Sequence, residues 1–260
     1  PAAVPATPGF TQDGTPDLLA RTGDGHLVLL PGNGWGGLTG TSSVIGAGWT
    51  MFDTVLSPGD LTNDGHNDLI ARSPDGALYL YRGNGQGGWI GAGTRIGAGW
   101  NAYSQVIAGG DFTGDGHPDV LARKANGELY LYAGNGRGGL NAGSRIGLGW
   151  QVYDTVVAAR DVTGDGRADL LARKPTGQLY LYAGNGNGTL KAGTVVAGGG
   201  DPTTTLLSAG DVTGDRRADL LARGTDGTLT VLPGNGNGTF GQGYPLSTSW
   251  GAYTATVGVG

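Results

Sequence analysis

Asp161-Val-Thr-Gly-Asp-Gly-Arg-Ala-Asp169 is the stretch that decides the fold, because copies of it return along the whole chain. A weaker copy, Gly9-Phe-Thr-Gln-Asp-Gly-Thr-Pro-Asp17, comes first, and the others begin at Asp60, Asp111 and Asp211. Successive copies therefore start 51, 51, 50 and 50 residues apart. A regular period of this size indicates an architecture of repeated structural units.

Each unit also contains four short runs of β-forming residues. In the fourth unit the aspartate loop is followed by Leu170-Leu-Ala-Arg173, a glycine turn and Leu179-Tyr-Leu-Tyr182. A Gly-Asn-Gly turn and a further run come next, and a Trp-containing first strand leads into the following loop. Four strands in about 50 residues is the pattern of one β-propeller blade.

The two ends of the chain complement each other. In complete units a tryptophan precedes the loop by 11 residues, as Trp49 precedes Asp60. The last such strand, starting at Trp250, has no loop after it, and the first loop, at Gly9, has no such strand before it. We therefore expect an all-β, five-bladed propeller with four-stranded blades, whose ring closes when the C-terminal strand completes the N-terminal blade. A linear solenoid, the alternative, would leave sheet edges exposed.

Residues 9–260 are expected to form this single propeller, and residues 1–8, rich in Pro and Ala, to be the remnant of a linker.

Composition excludes several classes of protein and of binding site. The 56 glycines follow no collagen period, and the absence of cysteine excludes disulfides and thiolate metal sites. The net charge of −5 argues against a nucleic-acid partner. No apolar run reaches the roughly 18 residues needed to insert into a membrane.

The aspartate loops have the spacing of a cation site. Loop positions 1, 3, 5 and 9 carry side-chain oxygens, position 7 can add a backbone carbonyl, and calcium is the usual occupant of such oxygen-rich loops. Asp/Gly turns without metal are the alternative, but three carboxylates in one loop repel each other without a cation. The predicted ligands are Asp60, Thr62, Asp64, His66 and Asp68; Asp111, Thr113, Asp115, His117 and Asp119; Asp161, Thr163, Asp165, Arg167 and Asp169; and Asp211, Thr213, Asp215, Arg217 and Asp219.

The loops are unequal. Arg216 stands where the other loops have glycine, and Gly9 replaces the first carboxylate of its loop. We therefore expect about four calcium ions. Each loop supplies its own ligands, so the ions are expected to be structural and to stabilise the folded state in place of disulfides. Because calcium is scarce in the cytosol, the loops also predict a secreted protein.

The extended motif, Asp161–Arg173 in its fourth copy, resembles the FG-GAP/VCBS repeats. These repeats occur in integrin α propellers, in fungal propeller lectins and in modules of actinobacterial secreted proteins. The resemblance runs from Gly9 to the end, and implies a propeller with calcium held at loop positions 1, 3, 5 and 9. Five blades in place of the usual seven are a departure, as is threonine at position 3.

No catalytic constellation is evident, and we expect no enzyme. Five-bladed glycosidases need paired carboxylates on the central funnel. Outside the loops the acidic residues are only Asp24, Asp53, Asp75, Asp154, Asp201, Asp226 and Glu128, of which three occupy equivalent turns. The three histidines make no Ser/His/Asp pattern.

Repeated aromatic residues are candidates for ligand binding, because aromatic faces stack on sugar rings. Packing between blades is the alternative. Trp35 and Trp89 fall outside the repeat and are expected to be exposed, and the arginine closing each Ala-Arg run is expected to pair with a neighbouring blade. The candidate ligand-binding residues are Trp49, Trp100, Trp150, Trp250, Tyr103, Tyr153 and Tyr253.

Two functions fit these features. The first is lectin-like carbohydrate recognition at repeated sites between blades, with a glycan or cell-surface polysaccharide as partner. The second is a protein-interaction or spacer propeller attached to another secreted domain. In both the protein is expected to be a monomer, and a glycan array with and without a calcium chelator separates them.

Overall fold

The computed structural model describes residues 9–196, 201–247 and 250–259 and contains five antiparallel sheets of four strands each. The predicted linker, residues 1–8, lies outside the described residues. No helix among the described residues has the length and hydrophobicity to cross a membrane. In chain order the strands are β1 (Asp17–Thr22), β2 (Leu27–Leu30), β3 (Ser43–Gly46), β4 (Thr54–Gly59), β5 (Asp68–Arg72), β6 (Leu78–Tyr81), β7 (Thr94–Gly97), β8 (Gln105–Ala108), β9 (Val120–Arg123), β10 (Leu129–Tyr132), β11 (Ser144–Gly147), β12 (Thr155–Ala158), β13 (Leu170–Arg173), β14 (Leu179–Tyr182), β15 (Thr194–Val195), β16 (Thr205–Ser208), β17 (Leu220–Arg223), β18 (Leu229–Leu232), β19 (Tyr244–Ser247) and β20 (Tyr253–Val259).

The ring is closed by the two ends of the chain, as the spacing of the repeats predicts. Blade 1 has the strand order β20-β1-β2-β3, and blades 2 to 5 are β4–β7, β8–β11, β12–β15 and β16–β19. Strand β20 pairs antiparallel with β1, with Leu19 opposite Val257. The first strand of each blade contacts those of both neighbouring blades, including β16 with β20. The all-β, five-bladed propeller is thus confirmed.

Burial explains why these runs form strands. In β6, Leu78 and Leu80 are buried while Tyr79 and Tyr81 are partly exposed, which is the alternation of a pleated strand. In β13, Leu170–Arg173, all four residues are buried, because blades cover both faces of this strand. Each fully buried leucine contributes about 1.5–3 kcal/mol relative to an exposed one. The core therefore lies in the seams between blades.

The tryptophan that the sequence pattern places in the first strand of a blade lies outside that strand in the structure. Trp49, Trp100, Trp150 and Trp250 lie in short 3₁₀ turns just before the strand. Gly48, with φ of 79°, turns the chain there, and the Trp49 N–H donates to the Gly25 carbonyl of the preceding blade. The tryptophan thus belongs to the crossover between blades, and the strand begins after it.

An arginine at or near the end of the second strand of each blade donates hydrogen bonds to the next blade, as the sequence predicts. The Arg123 guanidinium, at the end of β9, donates from Nη1 to the carbonyls of Trp150 (3.0 Å) and Tyr153 (2.6 Å). In the seam that lacks tryptophan, Arg173 makes the equivalent bonds to the carbonyls of Asp201 and Thr204. The arginines in this position are Arg21, Arg72, Arg123, Arg173 and Arg223.

Candidate functional site

The ninth residue of each aspartate loop holds the loop together. Asp119 is buried, and its Oδ2 accepts the N–H groups of Phe112 (2.8 Å) and Thr113 (2.9 Å). Its Oδ1 accepts the N–H of Gly134, in the Gly-Asn-Gly turn of the same blade (3.1 Å). Burial raises the pKa of Asp119, and that of Asp68, to about 6 in spite of these donors. The equivalent aspartates make the same bond to the turn: Asp17, Asp68, Asp169 and Asp219.

In the four loops that begin with aspartate, this first carboxylate also accepts hydrogen bonds from N–H groups of its own loop. Asp111 accepts the N–H groups of Gly114 (2.6 Å) and Gly116 (2.7 Å) through its two oxygens. Asp60, Asp161 and Asp211 do the same in their own loops. A carboxylate has about four lone-pair sites, so these bonds leave room for a cation. The hydroxyls of Thr62, Thr113 and Thr163 donate to the first carboxylate, and the Thr213 N–H donates to Asp219.

The fifth position distinguishes the loops. Arg82 contacts Asp64 at 2.9 Å, Lys191 contacts Asp165 at 3.4 Å, and Arg217 contacts Asp215 at 3.6 Å. Within residues 9–196, 201–247 and 250–259, Asp115 takes part in no ion pair. At position 7, the N–H groups of His66, His117, Arg167 and Arg217 donate to the fifth carboxylate.

The third loop is the one whose ligand atoms converge. Carboxylate oxygens of Asp111, Asp115 and Asp119 lie within 4.8 Å of one another, and in the described part of the chain no other three acidic or histidine residues meet in this way. Three carboxylates with a threonine hydroxyl are the oxygen donors that calcium prefers. The first loop fits a cation least, since a Cβ at Gly9 would lie 2.4 Å from Asp17 Oδ2, so no carboxylate fits there.

The repeated aromatic residues lie in the seams. The tryptophans at 49, 100, 150 and 250 are only 4%, 6%, 6% and 1% exposed. Trp100, for example, lies 5.5 Å from Tyr103 and 4.6 Å from Tyr132, and the hydroxyls of these two tyrosines are hydrogen-bonded to each other. Trp150 and Tyr153 repeat this arrangement with Tyr182, whereas Trp250 packs on Tyr253. Their ligand-binding role stays a prediction, and their contacts are those of packing between blades.

The two remaining tryptophans differ from each other. Trp89 forms a β-bridge with Gly83, as Leu38, Leu140, Leu190 and Phe240 do at the same place in other blades. It packs 5.0 Å from Trp49, so the interpretation of Trp89 as exposed and outside the repeat was wrong. Trp35 is 85% exposed, as predicted, and stands where the other blades have Gln86, Arg137, Asn187 and Asn237.

Trp35 lines a cleft of about 360 Å³ at the loop end of the ring. Blade 1 contributes Asn33 and Trp35, blade 4 contributes Arg160 at the start of its loop, and blade 5 contributes Arg216 and Arg217. A second cleft of about 390 Å³, formed by the loops of blades 2, 3 and 4, also has Arg160 in its lining. Arg160 was missed in the sequence, although it stands where Gly59, Gly110 and Gly210 precede their loops.

The repeat unit matches a known family. The model of the FG-GAP-like repeat matches residues 60–122, 111–172 and 161–222, which together span more than half of the chain. A comparison with the curated proteins finds no match.

Solved structures with a similar fold include propeller lectins. A lectin from Agrocybe aegerita that recognises non-reducing terminal N-acetylglucosamine is 20% identical with a TM-score of 0.51, over 94% of this chain and 70% of that one. The BP39L lectin from Burkholderia pseudomallei is 17% identical with a TM-score of 0.51, over 89% and 66%. A mutant of AofleA from Arthrobotrys oligospora is 14% identical with a TM-score of 0.51, over 91% and 69%. The chain thus spans 66 to 70% of the length of these proteins, and the likeness concerns the fold.

Proposed function

This chain belongs to the family of FG-GAP-like repeats, and from that premise we propose that it is a secreted, calcium-stabilised module that binds carbohydrate and performs no catalysis. The site is the cleft beside Trp35, and the partner is a glycan or polysaccharide outside the cell. Calcium in the aspartate loops holds the loop end of the ring, on which the cleft lies.

The observation that carries this proposal is the exposed ring of Trp35 at the edge of a cleft that also contains asparagine and arginine side chains. A sugar presents an apolar face of C–H groups and a rim of hydroxyls. An exposed indole offers a stacking surface for the first, and the side chains of Asn33 and Arg217 offer hydrogen-bonding groups for the second. Pairing an aromatic surface with a few polar groups is the usual way in which such a ligand is oriented.

The similar structures add support. The Agrocybe aegerita and Burkholderia pseudomallei proteins are lectins on a related propeller, so this architecture can present sugar-binding sites. Because one fold can host unrelated functions, the cleft and its side chains carry the proposal.

Replacing Trp35 with alanine is expected to weaken saccharide binding at least tenfold, because the stacking surface is lost. A glycan array run with calcium identifies the saccharide, and isothermal titration calorimetry measures the affinity of each variant. The matched control is Gln86→Ala, which changes the same loop position in blade 2 and should leave the affinity unchanged. Unchanged affinity in Trp35→Ala, or silence on every glycan together with capture of a protein partner, would contradict the proposal.

Calcium is proposed to occupy the third loop most tightly. Asp111, Thr113, Asp115 and Asp119 would hold it there with the His117 carbonyl, and the bound ion would neutralise three carboxylates that otherwise repel. The loops at Asp60, Asp161 and Asp211 are proposed as weaker sites, because a cationic side chain already contacts the fifth carboxylate in each. Calcium is abundant outside cells, which supports secretion.

Asp115→Asn is expected to remove one calcium site while leaving the metal-free protein almost unchanged in stability, since Asp115 is exposed. A site filled at 100 times its dissociation constant adds about 2.7 kcal/mol to the free energy of unfolding. Urea unfolding with calcium and with a chelator measures that difference. Asp165→Asn, at the equivalent position beside Lys191, is the control and should lose less.

Calcium affinity at this loop should also depend on pH. Burial raises the pKa of Asp119 to about 6, and a ligating carboxylate must be deprotonated. Protons therefore compete below that value, and the affinity is expected to fall up to about tenfold per pH unit between pH 6 and 5. A calorimetric affinity that is constant from pH 7 to pH 5 would argue against Asp119 as a ligand.

A further inference from the structure

Two arginines of the cleft adopt a backbone conformation that glycine adopts in other blades. Arg160 has φ of 53°, whereas Gly59, Gly110 and Gly210 at the same place have φ of 105°, 97° and 69°. Arg216 has φ of 68°, and its counterparts are all glycines with positive φ: Gly14, Gly65, Gly116 and Gly166. A side chain in the left-handed region costs roughly 1–2 kcal/mol. Residues held at such a cost are concentrated at functional sites.

Both arginines line the same cleft as Trp35, although they come from different blades. The guanidinium of Arg216 is exposed and has no hydrogen bond or ion pair with any described residue. Arg217, the third arginine of the cleft, contacts Asp215 at 3.6 Å, where both side chains are well exposed and the pair is weak. The two departures from glycine therefore place positive charge beside the stacking surface.

The acidic residues of the cleft offset only part of this charge. Asp161 and Asp211 line it together with Arg160, Arg216 and Arg217, so three positive and two negative side chains leave the lining with a formal charge of +1. Arg160 is only partly exposed where it lines the cleft, and a guanidinium keeps its charge at neutral pH. An anion is attracted more strongly there than in water, because the surroundings screen less.

We propose that the cleft binds an acidic saccharide, with the sugar ring on Trp35 and a carboxylate held by Arg216 and Arg160. The inference rests on the proposed carbohydrate function and specifies its ligand as a uronic-acid oligosaccharide. A planar carboxylate matches the fork of a guanidinium, which gives short, charge-assisted hydrogen bonds. A sulfated saccharide presents related chemistry and is separated from a uronate by the experiment below.

The first experiment compares matched ligands by calorimetry at fixed calcium concentration. The probes are trimers of galacturonate, glucuronate, mannuronate and guluronate, their methyl esters, the corresponding neutral trimers and a sulfated galactose trimer. At least one uronate trimer is expected to bind ten or more times tighter than its methyl ester, which has the same shape without the charge. Ester binding as tight as the acid, or preference for a sulfated or neutral trimer, would overturn the inference and leave carbohydrate binding standing. Silence with every saccharide here and on the array would overturn both.

The second experiment uses Arg216→Gly, which restores the residue found in the other loops. Affinity for the uronate trimer is expected to fall at least tenfold, affinity for the methyl ester to stay the same, and the melting temperature to stay the same or rise. A purely structural role for Arg216 would instead lower the melting temperature. The control is Arg137→Asn, which removes the same charge from blade 3, outside the cleft lining. Equal uronate affinity in Arg216→Gly and the wild type would overturn the inference.

Discussion

A chain that ends at Ala252 is expected to lose cooperative folding. The deletion removes β20, which is the first strand of blade 1 and the partner of β1 along its whole length. It also removes the contacts of β20 with β4 and β16, which close the ring. The deletion exposes the edge of β1 and opens the seams on either side of blade 1. The expected loss in the free energy of unfolding is comparable with the entire stability of a domain, about 5–15 kcal/mol.

The matched control moves β20 from the C-terminus of the chain to its N-terminus. Placing residues 250–260 directly before Gly9 gives blade 1 the same 11-residue spacing that Trp49 and Asp60 have. This permuted chain is expected to unfold in urea at a midpoint close to that of the wild type, followed by circular dichroism and tryptophan fluorescence. A truncated chain as stable as the wild type, or a permuted chain that fails to fold, would show that β20 does not close the ring.

Asp119→Ala is expected to lower the free energy of unfolding by about 3–9 kcal/mol in the presence of a chelator. The N–H groups of Phe112, Thr113 and Gly134 lose their acceptor, and each unsatisfied buried donor costs about 1–3 kcal/mol. Because no metal is present in this measurement, the loss reports the backbone bonds alone.

Asp115→Asn is the control, and it is expected to change the metal-free stability by less than about 0.5 kcal/mol, since its side chain is exposed. The two aspartates then separate two roles of one loop, with Asp119 holding the backbone and Asp115 serving the cation. Equal effects of both substitutions in chelator would mean that Asp119 is not the structural centre of the loop.

The fold could be predicted because the repeat makes each feature visible several times. The spacing of the aspartate loops fixed the number of blades, and the displaced Trp250 strand revealed how the ring closes. The 3₁₀ turn at the tryptophan was missed, because a single turn of three residues leaves no periodic signal and depends on the left-handed glycine before it.

The site was harder to predict because a repeated aromatic residue suits two purposes. Trp100 and Trp150 recur because a large buried ring fills four of the five seams between blades, and sequence alone does not distinguish a buried ring from an exposed one. Trp35 and Arg216 were visible as departures from the repeat. Their assembly with Arg160 could not be predicted, because blade 1 meets blades 4 and 5 only when the ring is closed.

Binding stoichiometry tests the central claim most directly. The ring repeats five times, but Trp35 and the left-handed arginines Arg160 and Arg216 occur once each around it. Calorimetric titration of the wild type with the saccharide identified on the array should therefore give one equivalent per chain, and Trp35→Ala should abolish most of the heat. Four or five equivalents per chain, retained in Trp35→Ala, would instead place binding in the repeated seams and contradict the account.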